Sequence, residues 1–143
     1  MPHKEGKIRV LALGLIRDND RVFVSVGFDP VKKQTFYRAM GGGVDFGEHS
    51  LEALKREFLE EINAEITNIK YLGCLENVFV YSGKQGHEVI QLYECDFVKS
   101  KFYQREEIKF NEGKRQKTAL WVNVDRFRSG ELHLVPEQFL DYL

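Results

Sequence analysis

Glu57, Glu60 and Glu61 stand three and four residues apart, directly after Arg56, in a stretch whose apolar residues recur at helical spacing. On a wheel of about 100° per residue, Leu51, Leu54, Phe58 and Ile62 share an arc of roughly 80° that must face a core. The three glutamates fill a neighbouring arc of roughly 100°, which otherwise holds only Ala53. Like charges at these spacings cost a helix about a few tenths of a kcal/mol per pair. They also lie toward the helix C-terminus, where the macrodipole disfavours anions. A hard divalent cation reverses that balance, because Mg²⁺ seeks carboxylate oxygens and keeps several of its waters. Arg56, four residues before Glu60, is placed to hold it.

The segment before the helix supplies a second set of groups. Gly41, Gly42 and Gly43 allow positive φ and a close approach of a ligand to the backbone, and Gly47 repeats that freedom just before Glu48. Such a loop delivers carbonyls to a metal or amides to an anion near a helix start. Read alone, a glutamate-rich helical face is a solvated surface and three glycines are a turn. Their joint occurrence at fixed spacing points to phosphate chemistry.

The elements that must position these groups follow from pattern. Ile8 to Ile16 and Arg21 to Phe28 read as strands joined by the turn residues Asp18-Asn19-Asp20. A polar loop from Asp29 to Gln34 leads into a short extended piece, Thr35 to Met40, and then the glycine loop. The helix runs from Ser50, a plausible N-cap, to Ile62, with Asn63 suited to a left-handed stop. Ile66 to Tyr81 and His87 to Val98 are long strands joined through Ser82 to Gly86. A long charged loop, a strand from Ala119 to Val124, a turn from Asp125 to Ser129 and a closing helix begun by Pro136 complete the chain. The order β-β-β-loop-α-β-β-β-α predicts an α/β fold with a mixed β-sheet covered by helices. No linker or repeat interrupts residues 1–143, so one domain is expected.

Gly42, five residues, Glu48, seven residues, Arg56-Glu57-Phe58, one residue, then Glu60-Glu61 resembles the signature of the Nudix hydrolases, the MutT-like family. All the charged positions match. The departures are Asn63-Ala64 where the motif closes with Gly and an aliphatic residue, and Met40 and Phe46 where many relatives carry proline. The resemblance implies an α/β/α sandwich, with Glu57, Glu60 and Glu61 coordinating Mg²⁺ or Mn²⁺ and the Gly41 carbonyl as a further ligand. It implies that Arg56 orients the cluster, that Gly42, Gly43, Gly47 and Glu48 support the loop, and that Glu57 is the base. Many relatives recruit another acid from outside the motif, for which Glu88, Glu106, Glu107 and Glu112 are candidates. Arg38, Tyr37, Lys114 and Arg115, with Lys117, are candidate substrate contacts, and Phe36, Phe79, Tyr81, Tyr103 and Trp121 are further aromatics available for stacking. The implied reaction is attack of water on phosphorus in a nucleoside diphosphate linked to another moiety. Two other readings differ in class: a module that senses a nucleotide or ADP-ribose without turnover, and an enzyme that removes 5′ phosphates from RNA.

Composition narrows the partners. A net charge of -1 gives no support to sequence-independent nucleic-acid binding, so a small nucleotide-type diphosphate is expected. The four histidines show no metal-ligand spacing. No run reaches transmembrane length, and Met1 to Lys7 lacks an apolar leader core, so no membrane association and a cytoplasmic location are expected. Cys74 and Cys95 read as two buried thiols in a reducing compartment. Many relatives look dimeric, so the resemblance allows a homodimer, while the sequence itself does not specify the oligomeric state.

Overall fold

A computed structural model describes residues 6–143; the first five residues, on which the reading of the N-terminus partly rests, lie outside it. The described residues form an eight-stranded mixed sheet in the order β5-β6-β1-β4-β3-β8-β7, with the two-residue β2 (Arg17–Asp18) paired to β3. Here β1 is Ile8–Leu15, β3 Arg21–Asp29, β4 Gln34–Gly43, β5 Ile66–Tyr81, β6 Lys84–Phe97, β7 Glu107–Glu112 and β8 Arg115–Asn123. The β1–β6 pair is parallel and the other pairs are antiparallel.

Side-chain alternation along β1 sets the layers. Ala12 faces a core that includes Leu54 and Phe58 of helix α1 (Ser50–Ile62), together with Phe23, Phe97 and Trp121. Leu11, Leu13 and Leu15 face the opposite side, under helix α3 (Val124–Arg128) and a 3-10 helix, Glu137–Tyr142, that contribute Phe127 and Phe139. Helices thus cover both faces, the expected α/β arrangement. Leu54 and Phe58 are fully buried, which anchors α1 by roughly 1.5–3 kcal/mol for each side chain. The helix ends where the sequence says it should: Asn63 adopts φ 53°, and the Asn63 and Ala64 amides close back on Leu59 and Phe58.

Five expectations change. The three glycines are the last residues of β4, each paired across to β1, and not a loop. Ser50 is the first helical residue and not the cap; the cap position is His49, and the Ser50 hydroxyl bonds that of Tyr93. Most of the charged loop is regular, forming α2 (Lys101–Gln104) and the β7–β8 hairpin, while the Asp125 turn is part of α3. Cys95 is buried but Cys74 is exposed.

Candidate active site

Helix α1 lies across β4, which brings its acidic face against the glycines. A Cβ on Gly42 would fall 2.2 Å from Cδ of Glu57, so the absent side chain is the space that carboxylate occupies. Gly41 has φ 144°, and a Cβ there would meet the Ala12 carbonyl oxygen at 2.1 Å. Neither position has room for a side chain.

Arg56 is the hub. Its Nε donates to Glu48 at 2.8 Å, and its Nη2 donates to the other Glu48 oxygen at 3.0 Å and to the Gly43 carbonyl at 2.9 Å. Its Nη1 reaches Glu57 at 2.9 Å and Glu60 at 3.2 Å. Glu48 also accepts from the Asp45 amide, closing the turn in which Gly47 takes φ 83°. The hydrogen bonds from Arg56 and Asp45 hold the Glu48 carboxyl down at about 2, against the opposing effect of burial.

The three glutamates are not equivalent. Glu60 points to solvent, with 58% of its side chain exposed, whereas Glu57 is held between Arg56 and the Gly42 backbone. Glu61 faces inward, and its Oε1 is buried with no hydrogen-bond partner among the described residues. Burial, and then the charge of Glu57, push its carboxyl up to about 8. Two adjacent carboxylates, one with a desolvated and unsatisfied oxygen, form a hard oxygen donor set that fits a divalent cation. No group of three or more His, Cys, Asp or Glu side chains among the described residues forms a preformed cage. Mg²⁺ is commonly held by one or two carboxylates and completed by water and substrate phosphate.

Glu61 lies on the wall of a cleft of about 1190 Å³. Arg38 of β4, Asn77 of β5 and Glu88 of β6 line it on one side, and Glu112, Arg115 and Lys117 of the β7–β8 hairpin on another. Phe28, Phe36, Phe79 and Tyr81 form an aromatic wall, with the Phe36 and Tyr81 rings edge-to-face at 5.9 Å. Burial lowers the Lys117 ammonium, as do Arg38 and Arg115, while Glu61 acts the other way. The mouth is stapled by Asp29, whose carboxylate accepts from the amides of Val31 and Lys32 in its own turn and of Ser82 in the β5–β6 turn. Lys32 Nζ bonds the Val80 carbonyl and the Tyr81 hydroxyl bonds that of Phe28.

The structure therefore gathers Glu57, Glu61, Arg38, Glu88, Glu112 and Arg115 into one region and sends other candidates elsewhere. Glu106 and Glu107 are exposed and do not line the cleft, and Lys114 is exposed at the hairpin turn. Tyr37 faces the opposite side of β4, its ring against Phe127. Tyr103 and Trp121 stack on one another inside the core. Glu88 is neither solvated nor at a strand start: it lies within β6, 1% exposed. Asn77 and Asp29 gave no chemical signal in the sequence. Asp29-Pro30 marks a turn, but not which amides its carboxylate would reach.

Comparison with known proteins agrees with this geometry. The NUDIX domain family model matches residues 7–143. Among solved structures, the chain resembles a MutT NUDIX hydrolase from Burkholderia pseudomallei at 20% identity and TM-score 0.61, covering 83% of this chain and 85% of that one. It resembles a NUDIX hydrolase from Nitrosomonas europaea at 18% identity and TM-score 0.62, covering 91% and 82%. A MutT protein from Bacillus halodurans matches at 20% identity and TM-score 0.61, covering 93% and 80%. No curated protein matches. The match across nearly the whole chain, on a fold these structures share, makes the chain a member of the Nudix family and a hydrolase of phosphorus-containing acid anhydrides.

Proposed function

We propose that this hydrolase cuts the pyrophosphate linkage of a nucleoside diphosphate joined to another moiety, with Mg²⁺ or Mn²⁺ at Glu57 and Glu61. The observation that carries the proposal is the buried, unsatisfied Glu61 oxygen beside Glu57, at the edge of a cleft lined by cations and aromatics. A divalent cation bound there supplies charge neutralisation at the phosphoryl oxygens and a more acidic water. Arg56 fixes Glu57, so that this carboxylate has little freedom to wander. Glu60, turned outward on Arg56, acts by holding the guanidinium and by adding negative charge at the rim. The proton of the attacking water goes to the Glu57–Glu61 pair. The aromatic wall offers surfaces on which a base can stack, which favours a nucleotide over a simple sugar diphosphate. A small-molecule substrate fits a half-open cleft of about 1190 Å³ on a chain of net charge -1, and two unpaired thiols, one exposed, suit a reducing cytoplasm.

The test is hydrolysis of a panel of nucleoside triphosphates, nucleotide sugars and dinucleotides, with products identified by mass. Turnover should require Mg²⁺ or Mn²⁺ and fall at least about 100-fold in Glu57→Gln and in Glu61→Gln. Wild-type turnover in a folded Glu57→Gln/Glu61→Gln double variant would refute the assignment.

A further inference from the structure

A fully buried carboxylate is costly unless it is paired and hydrogen-bonded. Glu88 is 1% exposed, and its oxygens accept from Arg38 at 3.0 and 3.5 Å and from Asn77 at 3.3 Å. A proton-transfer base needs a free lone pair toward water, whereas this carboxylate is spent on holding a guanidinium. Arg38 itself is not saturated: the clamp takes one N–H from each Nη, while the side chain lines the cleft with Lys117 nearby. A guanidinium locked in one orientation by a buried clamp, with one N–H left on each Nη, is a preorganised donor to an anion in the cleft.

We infer that Arg38, clamped by Glu88 and Asn77, joins Lys117 in an anion subsite that takes a phosphate of the substrate other than the one attacked, with Glu88 as its positioning residue. The inference rests on the pyrophosphatase reading for its substrate. It places the attacked phosphate at the Glu57–Glu61 pair and its neighbour at Arg38. It also removes Glu88 from the bases available to the reaction.

Binding of inorganic pyrophosphate to the full chain in EDTA, followed by calorimetry, tests the subsite without requiring turnover. Arg38→Gln and Lys117→Gln should each weaken binding about tenfold or more, and Glu57→Gln should not. The Glu88→Gln variant discriminates by sign. Removing a negative charge beside a cation site strengthens anion binding through the field alone, whereas loss of a clamp weakens it, here by about threefold. Should Arg38→Gln fail to fold because Glu88 is left unpaired, the Arg38→Gln/Glu88→Gln double variant restores a neutral pair and should show the same tenfold loss. Unchanged pyrophosphate affinity in a folded Arg38 variant, or unchanged or tighter binding in Glu88→Gln, would overturn the inference. Absence of hydrolysis by the wild type would instead sink the pyrophosphatase reading and leave the binding result standing.

Discussion

At the scale of single residues, the site stores its function as unfavourable electrostatics. Glu61 is pushed up to about 8 by burial and by Glu57, so the folded protein keeps a proton there that the unfolded chain has already lost. Its contribution to stability is fully present below about 4.5, the ordinary glutamate value, and is lost as pH rises through about 8. In metal-free protein Glu61→Gln, which cannot ionise, should therefore raise the melting temperature by a few degrees at pH 9 and much less at pH 5. Scanning calorimetry at the two pH values in EDTA measures the difference, and an equal effect at both would contradict it. Replacing one carboxylate oxygen should thus stabilise the resting molecule while abolishing its chemistry, the trade expected where a site holds a group against its preference.

At the scale of elements, Arg56 ties the β4–α1 connection to the helix it feeds. Glu48 accepts two of its hydrogen bonds, and the Glu48 carboxyl sits at about 2. Its folded value lies below its unfolded one, so the contribution is present above about 4.5 and disappears as pH falls through about 2. Thermal melts between pH 2 and 5 should show a shallower acid loss for Glu48→Gln than for the wild type, and parallel curves would rule this out. This element was also the most legible in the sequence. Spacing alone gave the helix from Ser50 to Ile62 and its stop at Asn63, because both are local properties. The glycines look like a loop in sequence because composition cannot show that Leu11, Ala12 and Leu13 lie across from them and complete a strand. Strand β7 and the first half of β8 are hidden in the sequence because Ile108 and Phe110 are too few to outweigh the charged residues between and around them. The clamp on Arg38 joins residues 50 positions apart, and no periodicity reports a contact of that range.

At the scale of the whole molecule, the cleft has a wall because the tips of two hairpins meet. Asp29 accepts three backbone amides, one of them from Ser82 across 53 residues of chain. Asp29→Ala should leave the α1 site intact yet raise KM at least about threefold with kcat changed less. Hydrogen exchange should quicken at residues 29–34 and 80–84, and unchanged exchange there would argue against a staple. The sheet and both cores do not depend on this junction, which is made of a few exposed or half-buried polar contacts. Contacts of that kind open at lower free energy than a core does, and the ends they join gain nothing until each hairpin exists. Molecules with the tips apart and the cores intact therefore form before any that unfold globally. Any ligand must wait for the closed remainder, so its apparent affinity is the intrinsic one scaled by that share. Sequence changes at the tips, far from the glutamates, can then set the concentration at which the enzyme responds without altering its chemistry.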